Sequence, residues 1–277
     1  MNRYLKLVNF ELNRFRKIYV TLILLTLLSQ IAAVLLLTKG YLNDAYETIK
    51  LENLTEKSYV LEYGGFDFTH ITGSLLFLGP IALSAGALIF YIFLIWYRDW
   101  FGKNTFAYRL LMLPTSRVFV YLSKATAIFL MVLGLVAIQL MILPLENTIY
   151  EWMIPKTFLN YSMTIDSIIN SNPLLRIIIP GTFSGFLINY GIGLMIMFIL
   201  FAIILFERSY RIKGIIMGIL YAAAVTAVFV TPLMAMGFEV IYLYPGELFG
   251  VLLILSILIT GLTLWVSRWL IIKKITV

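Results

Sequence analysis

The residues able to do chemistry in this chain are few, and their types set the first limits. There is no cysteine, which excludes disulfides, thiolate metal sites and cysteine nucleophiles. His70 is the single histidine, so one chain cannot build a multi-histidine metal site. Its position at the edge of a long apolar stretch suits a solvated side chain better than a ligand or a pH sensor. No GxxxxGK[ST] loop is present, so any ATP that drives this protein is bound by another chain. The long apolar stretches hold almost no ionisable groups, and their interior polar residues are Gln30, Ser84, Gln139, Ser184, Asn189, Tyr190, Thr226 and Thr260. None of them is a carboxylate, histidine or cation. Ion- or proton-coupled carriers need such a group, because coupling requires a site that charges and discharges. An intramembrane protease would need paired aspartates, a serine with a base, or a metal site. Gln139, Asn189 and Tyr190 can line a substrate path. They can equally be interhelical hydrogen bonds, worth ~0.6–2 kcal/mol each.

One polar segment has an unusual composition. Residues 97–117 read Tyr-Arg-Asp-Trp-Phe-Gly-Lys-Asn-Thr-Phe-Ala-Tyr-Arg-Leu-Leu-Met-Leu-Pro-Thr-Ser-Arg. Asn104 or Thr105 can cap a short helix, Phe106 to Leu113 can form it, and Pro114 stops it. Two apolar, aromatic turns in a basic stretch are too short to span a membrane and too apolar for an ordinary loop. They either lie on a membrane surface or dock into a partner protein.

The elements that must position these residues follow from composition. Of the 277 residues, 61% are hydrophobic and 13% charged, and the mean hydropathy is +0.96. A soluble domain of this length needs far more polar surface. A hydrocarbon core of ~30 Å takes ~20 apolar residues in a helix. Six stretches qualify: 18–38, 71–96, 118–143, 177–206, 214–236 and 247–272. The expected fold is all-α, a polytopic membrane protein of six transmembrane helices forming one domain. Prolines can break the second span near Gly79-Pro80 and the fourth near Pro180-Gly181. Residues 2–17 place Leu5, Val8, Leu12 and Phe15 on one helical face, and Arg3, Lys6, Asn13, Arg14 and Lys17 on the other. That pattern predicts an N-terminal interfacial amphipathic helix. The charges in this stretch argue against a cleavable signal. Segments 40–70 and 146–175 can hold short helices, and neither is large enough to be a separate domain.

Lys and Arg distribution orients the spans. Sixteen of the 21 basic residues fall in the N-terminus, the 97–124 and 207–213 segments and the C-terminus. The opposite segments hold Lys39, Lys50, Lys57, Lys156 and Arg176, together with 11 of the 14 acids. Glu11, Asp99 and Glu207 are the exceptions. Both termini are therefore expected in the cytoplasm of a plasma membrane, and the absence of cysteine fits a bacterial one. The formal charge of +7 is mostly flank charge facing the lipid bilayer rather than a sign of nucleic acid.

The loop and the order of segments resemble the permease subunit of ABC type-2 exporters. The family pattern reads loosely acid–x–Gly–Thr, a short helix ending Leu–Leu–x–Leu–Pro–x–Ser–Arg, then Gly–Lys opening the third span. Here Asp99 stands near the acid and Gly102 at the glycine, and 110–117 match the middle. Ser123-Lys124 replaces Gly–Lys, and Lys103-Asn104 separates Gly102 from Thr105. The resemblance implies that the short helix couples to a groove on a separate ATP-binding cassette subunit. Phe106, Tyr108, Leu110, Met112 and Leu113 would anchor there. Arg109 and Arg117 would pair with acids at the rim, where charges tune register, and Ser116 belongs to the same coupling segment. Arg208, Arg211 and Lys213 are secondary candidates that also fit plain flank charge. The resemblance implies further that two permease chains pair, as a homodimer or heterodimer. The chain would then carry no ATPase site or cofactor of its own and would export a hydrophobic or amphipathic peptide, antibiotic or lipid-like molecule. A non-transporting scaffold or sensor is the main alternative, and a secondary transporter fits less well.

Overall fold

The computed structural model describes residues 3–100, 116–159, 163–239 and 242–274. The chain is an all-α polytopic membrane protein. In order its helices are α1 Arg3–Glu52, α2 Glu56–Tyr63, α3 Phe68–Thr72, α4 Leu75–Trp100, α5 Arg117–Met153, α6 Ile165–Ser171 and α7 Pro173–Ile178. They continue with α8 Phe183–Tyr210, α9 Ile212–Gly237 and α10 Pro245–Trp269, which runs on as a π-helical turn, Leu270–Lys274. Six helices among the described residues are long and apolar enough to cross a membrane. They coincide with the six expected stretches.

Three details differ from expectation or sharpen it. The N-terminal segment is helical but is not a separate element, because α1 runs for 50 residues without a break. Its buried residues there are Val8, Glu11 and Phe15, whereas Leu5 is 51% exposed. The face that packs is thus rotated from the purely apolar one. The fourth span does break at Pro180-Gly181. α7 ends at Ile178, and α8 begins at Phe183 with the Thr182 hydroxyl accepting from the Gly185 N–H at 3.1 Å. The second span does not break at Pro80, and α4 continues through it.

The chain forms two compact units, and α1, α4 and α5 have residues in both. Unit A comprises Met1–Arg14, Leu88–Leu130 and Thr182–Val277. Its interior is aromatic around Tyr121, which stacks on Phe198 at 5.9 Å and meets Phe201 edge-on at 5.5 Å. Met195, Ile199, Val225, Phe229 and Ile259 join α8, α9 and α10 in a second cluster. Glycines allow the close approach of α9 to α8. A Cβ at Gly218 would sit 3.2 Å from Ile203 Cα, and one at Gly214 would collide with the Phe206 carbonyl.

Unit B comprises Phe15–Ala87 and Met131–Gly181. Here α1 and α5 run parallel. Tyr19 Oη donates to the Met131 carbonyl at 3.0 Å, and Gln30 Nε2 donates to Gln139 Oε1 at 3.1 Å. Segments 40–70 and 146–175 fold together on one core that includes Ala45, Tyr59, Phe68, Tyr150, Phe158, Ile168 and Leu175. Tyr41 stacks on Phe66 at 4.6 Å, Tyr150 Oη donates to the Phe66 carbonyl, and Asn172 Nδ2 donates to the Thr72 carbonyl at 2.9 Å. Neither segment closes a core alone; both contribute to this one, together with Ala33, Val34, Ile71, Phe77, Leu143 and Ile179 from the adjoining stretches. Unit B also explains the intact α4. Pro80 has no N–H, so the Leu76 carbonyl four residues earlier loses its helical donor. Ser29 Oγ of α1 donates to that carbonyl at 2.7 Å, and Gln30 Nε2 lies 3.3 Å from the next one, at Phe77.

Candidate functional site

The most chemically loaded place in the structure is a buried ion network in unit A. α1 contributes Glu11 and Arg14, α4 contributes Arg98 and Asp99, and α5 contributes Lys124, two turns from its first residue. Lys124, Glu11 and Asp99 are 1%, 2% and 1% exposed. The ammonium has three hydrogens to donate, and it meets three acceptors. These are Glu11 Oε1 at 2.9 Å, Asp99 Oδ2 at 2.5 Å and the Ile95 carbonyl at 2.9 Å. The remaining carboxylate oxygens take arginines. Arg14 Nη1 lies 2.7 Å from Asp99 Oδ1, and Arg98 Nη2 lies 3.1 Å from Glu11 Oε2. The Trp96 ring lies 5.4 Å from the ammonium. Three cations and two anions are thus fully cross-paired. A group so satisfied is a structural knot joining three helices rather than a site that charges and discharges.

Lys124 is one of the few ionisable groups inside the expected spans, and it sits near the start of the third rather than at mid-depth. Glu207, the remaining acid on the basic-rich side, also has partners in unit A. Tyr97 Oη donates to Glu207 Oε2. Arg208 lies over the Tyr97 and Trp100 rings at 4.9 and 5.6 Å. Arg208 therefore packs, whereas Arg211 and Lys213 are exposed.

Comparison with family models, with curated proteins and with solved structures returns no match. The placement of the expected site residues is as follows. Phe106, Tyr108, Arg109, Leu110, Met112 and Leu113 lie outside the described residues. The two that follow them are described. Ser116 is exposed, and Arg117 opens α5 with Nη1 donating to the Ile271 carbonyl at 3.2 Å. The candidate path residues divide between the units. In unit B, Gln139 is 5% exposed and bonded to Gln30. In unit A, Asn189 and Tyr190 are half-buried on α8, with the Tyr190 ring 4.4 Å from Phe186 and 6.5 Å from Phe129. His70 is exposed and stacked on Phe66 at 5.5 Å.

Sequence reasoning missed two features. One is the ion network, whose signal was available: Glu11 and Asp99 broke the charge pattern, and Lys124 entered an apolar stretch. The other is Glu146 in unit B, three residues beyond the span expected to end at Leu143. Its side chain is 0% exposed, and neither carboxyl oxygen has a hydrogen-bond partner. Nothing in the local sequence marks it.

Proposed function

We propose that this chain is the membrane-spanning permease subunit of an ATP-driven exporter in a bacterial plasma membrane, with both termini cytoplasmic. ATP is hydrolysed by a separate ATP-binding cassette subunit, and a second permease chain completes the complex. The substrate is hydrophobic or amphipathic, in keeping with spans that present few polar side chains. One observation carries the reading. The 101–115 segment, whose sequence resembles a coupling helix, leaves α4 next to Arg98 and Asp99 and enters α5 seven residues before Lys124. Both of its roots are therefore tied to α1 by buried ion pairs.

The mechanism follows from that anchoring. A force applied to a flexible loop is dissipated in the loop. Here the two helices that flank it are cross-linked at their ends, so a displacement of the loop moves α1, α4 and α5 together. Phe106, Tyr108, Leu110, Met112 and Leu113 supply the apolar anchors for a partner groove. Arg109 sets the register.

Affinity purification of the full chain from native membranes in mild detergent tests the proposal. The expected result is a co-purifying ATPase whose association is lost in Arg109→Glu and weakened in Tyr108→Ala. Recovery of the chain with no ATP-binding partner, or export unaffected by both substitutions, would refute it.

A further inference from the structure

Glu146 presents a charge problem that its surroundings do not solve. A carboxylate removed from water without a cation is unfavourable by several kcal/mol, so such a group either pairs or stays neutral. The charged and titratable groups of unit B do not pair with it. Lys39, Lys50, Lys57, Lys156 and Arg176 are all exposed, and none of them lies within ion-pair distance of it. Asp44, Glu47, Glu52, Glu62, Glu151, Asp166 and His70 are exposed as well. Glu56 hydrogen-bonds with the Thr157 hydroxyl. Asp67 is half-buried and acts on Tyr41 and Tyr150. The hydroxyls of those two tyrosines donate to the Gly64 and Phe66 carbonyls.

The helix register adds a second observation. On α1 and α5, Tyr19 meets Met131 and Gln30 meets Gln139. Two further turns along these parallel helices, Thr38 comes level with Glu146. Thr38 is also 0% exposed, and its hydroxyl is also without a partner. A polar step, closed off from solvent, thus sits just beneath the core that joins segments 40–70 and 146–175. An ammonium group or metal ion must lie against the carboxyl oxygens, and both are sealed by protein. A proton needs no added space.

We propose that Glu146 is a proton-binding site: it holds a proton while segments 40–70 and 146–175 are packed together and gives it up when they part. The O–H bond breaks heterolytically, the electron pair stays on the carboxylate and water takes the proton. A solvated glutamate titrates near ~4.3, and the packed group titrates higher. The packed form therefore has its full stability below the solvated value. That stability is lost as pH rises to the packed value, and beyond it parting is independent of pH. This inference concerns the chain by itself and stands apart from the ATP-driven reading.

The chain has no cysteine, so one introduced thiol reports on a single place. Ala45 is 0% exposed within the shared core, and Leu61 is 88% exposed. The full chain in lipid nanodiscs, carrying Ala45→Cys, is labelled with a maleimide across pH. Its rate is divided by that of Leu61→Cys to remove the thiol's own ionisation. The ratio should rise about tenfold per pH unit above roughly pH 5 and then level off once the packed group also loses its proton, as loss of one proton requires. With Glu146→Gln added, the ratio should be flat. A rise that persists in Glu146→Gln, or a ratio flat in both backgrounds, overturns the proposal. Slowing of the labelling by methylammonium at alkaline pH also overturns it, since a cation would then be the occupant. If Glu146→Gln fails to fold, infrared spectra of Glu146→Asp give a second readout. A protonated-carboxyl C=O band that loses intensity on raising pH should move in this variant, and a band that does not move refutes the assignment.

Discussion

Replacing Lys124 by methionine tests the ion network most directly. Methionine keeps the length and apolar contacts of the side chain and removes the ammonium. Three acceptors then lose a donor: Glu11 Oε1, Asp99 Oδ2 and the Ile95 carbonyl. Each buried acceptor left unsatisfied costs about 1–3 kcal/mol. The loss is limited because Glu11 retains Arg98 and Asp99 retains Arg14, and because the four charges that remain sum to zero. Together these place Lys124→Met at about 3–5 kcal/mol, the range for breaking a buried pair by removing one partner. The assay is reversible unfolding in mixed micelles, titrated with a denaturing detergent and followed by helical ellipticity. Glu11→Gln in the Lys124→Met background removes one of the stranded carboxylates. The double variant should therefore lose less than the sum of the two single losses, with a coupling of about 1–3 kcal/mol. A loss below about 1 kcal/mol for Lys124→Met, or strict additivity in the cycle, would show that water reaches these groups and that they do not form a buried knot.

Two more substitutions probe the packing of each unit. Ser29→Ala removes the donor that serves the Leu76 carbonyl beside Pro80 and should cost about 1 kcal/mol. In a Pro80→Ala background the helix supplies its own N–H to that carbonyl, so the cost should nearly vanish; equal losses in both backgrounds would reject the compensation. Gly214→Ala places a Cβ against the Phe206 carbonyl, a backbone atom that cannot swing aside, and should cost about 1–3 kcal/mol from overpacking. Gly250→Ala, with open space around its Cβ, serves as the control and should be neutral or slightly stabilising. The same titration measures both, and a Gly214→Ala chain as stable as the control would refute the close approach of α8 and α9.

The spans were legible because the signal for them is local: about 20 apolar residues in a row need no knowledge of what they pack against. The break at Pro180-Gly181 was legible for the same reason. Pro80 was not, since the groups that let the helix continue, Ser29 and Gln30, lie about fifty residues earlier on another helix. The N-terminal helix shows the same limit. A helical wheel sorts side chains by polarity, so it grouped Leu5 with Val8, Leu12 and Phe15 and set the charges on the far face. The structure buries Glu11 between Val8 and Phe15 and leaves Leu5 exposed, because the groups that neutralise Glu11 come from Arg98 and Lys124. Likewise, segments 40–70 and 146–175 each look too small to fold. Their shared core rests on aromatic contacts, such as Tyr41 with Phe158 at 6.1 Å, between residues more than a hundred positions apart.

The three acids that break the charge pattern carry a lesson about reading such exceptions. The bias of Lys and Arg toward one side concerns solvated flanks, where an acid contributes little in either direction. An acid among those basic residues is not forbidden there, so its presence alone implies nothing. What distinguishes Glu11, Asp99 and Glu207 is that each lies within reach of an apolar stretch, where a carboxylate is costly unless it is paired. Each has its partners: Lys124 and Arg98 for Glu11, Lys124 and Arg14 for Asp99, and the Tyr97 hydroxyl for Glu207. Lys124 is the mirror case, a cation in an apolar stretch that requires those same acids. The charge count alone could therefore have narrowed the partners of Lys124 to Glu11, Asp99 and Glu207, the three acids on its own side with an apolar neighbour, and the structure selects the first two. Glu146 marks the boundary of this logic. It too adjoins an apolar stretch, yet the bases on its side are all exposed, and that leaves a proton as the counter-charge.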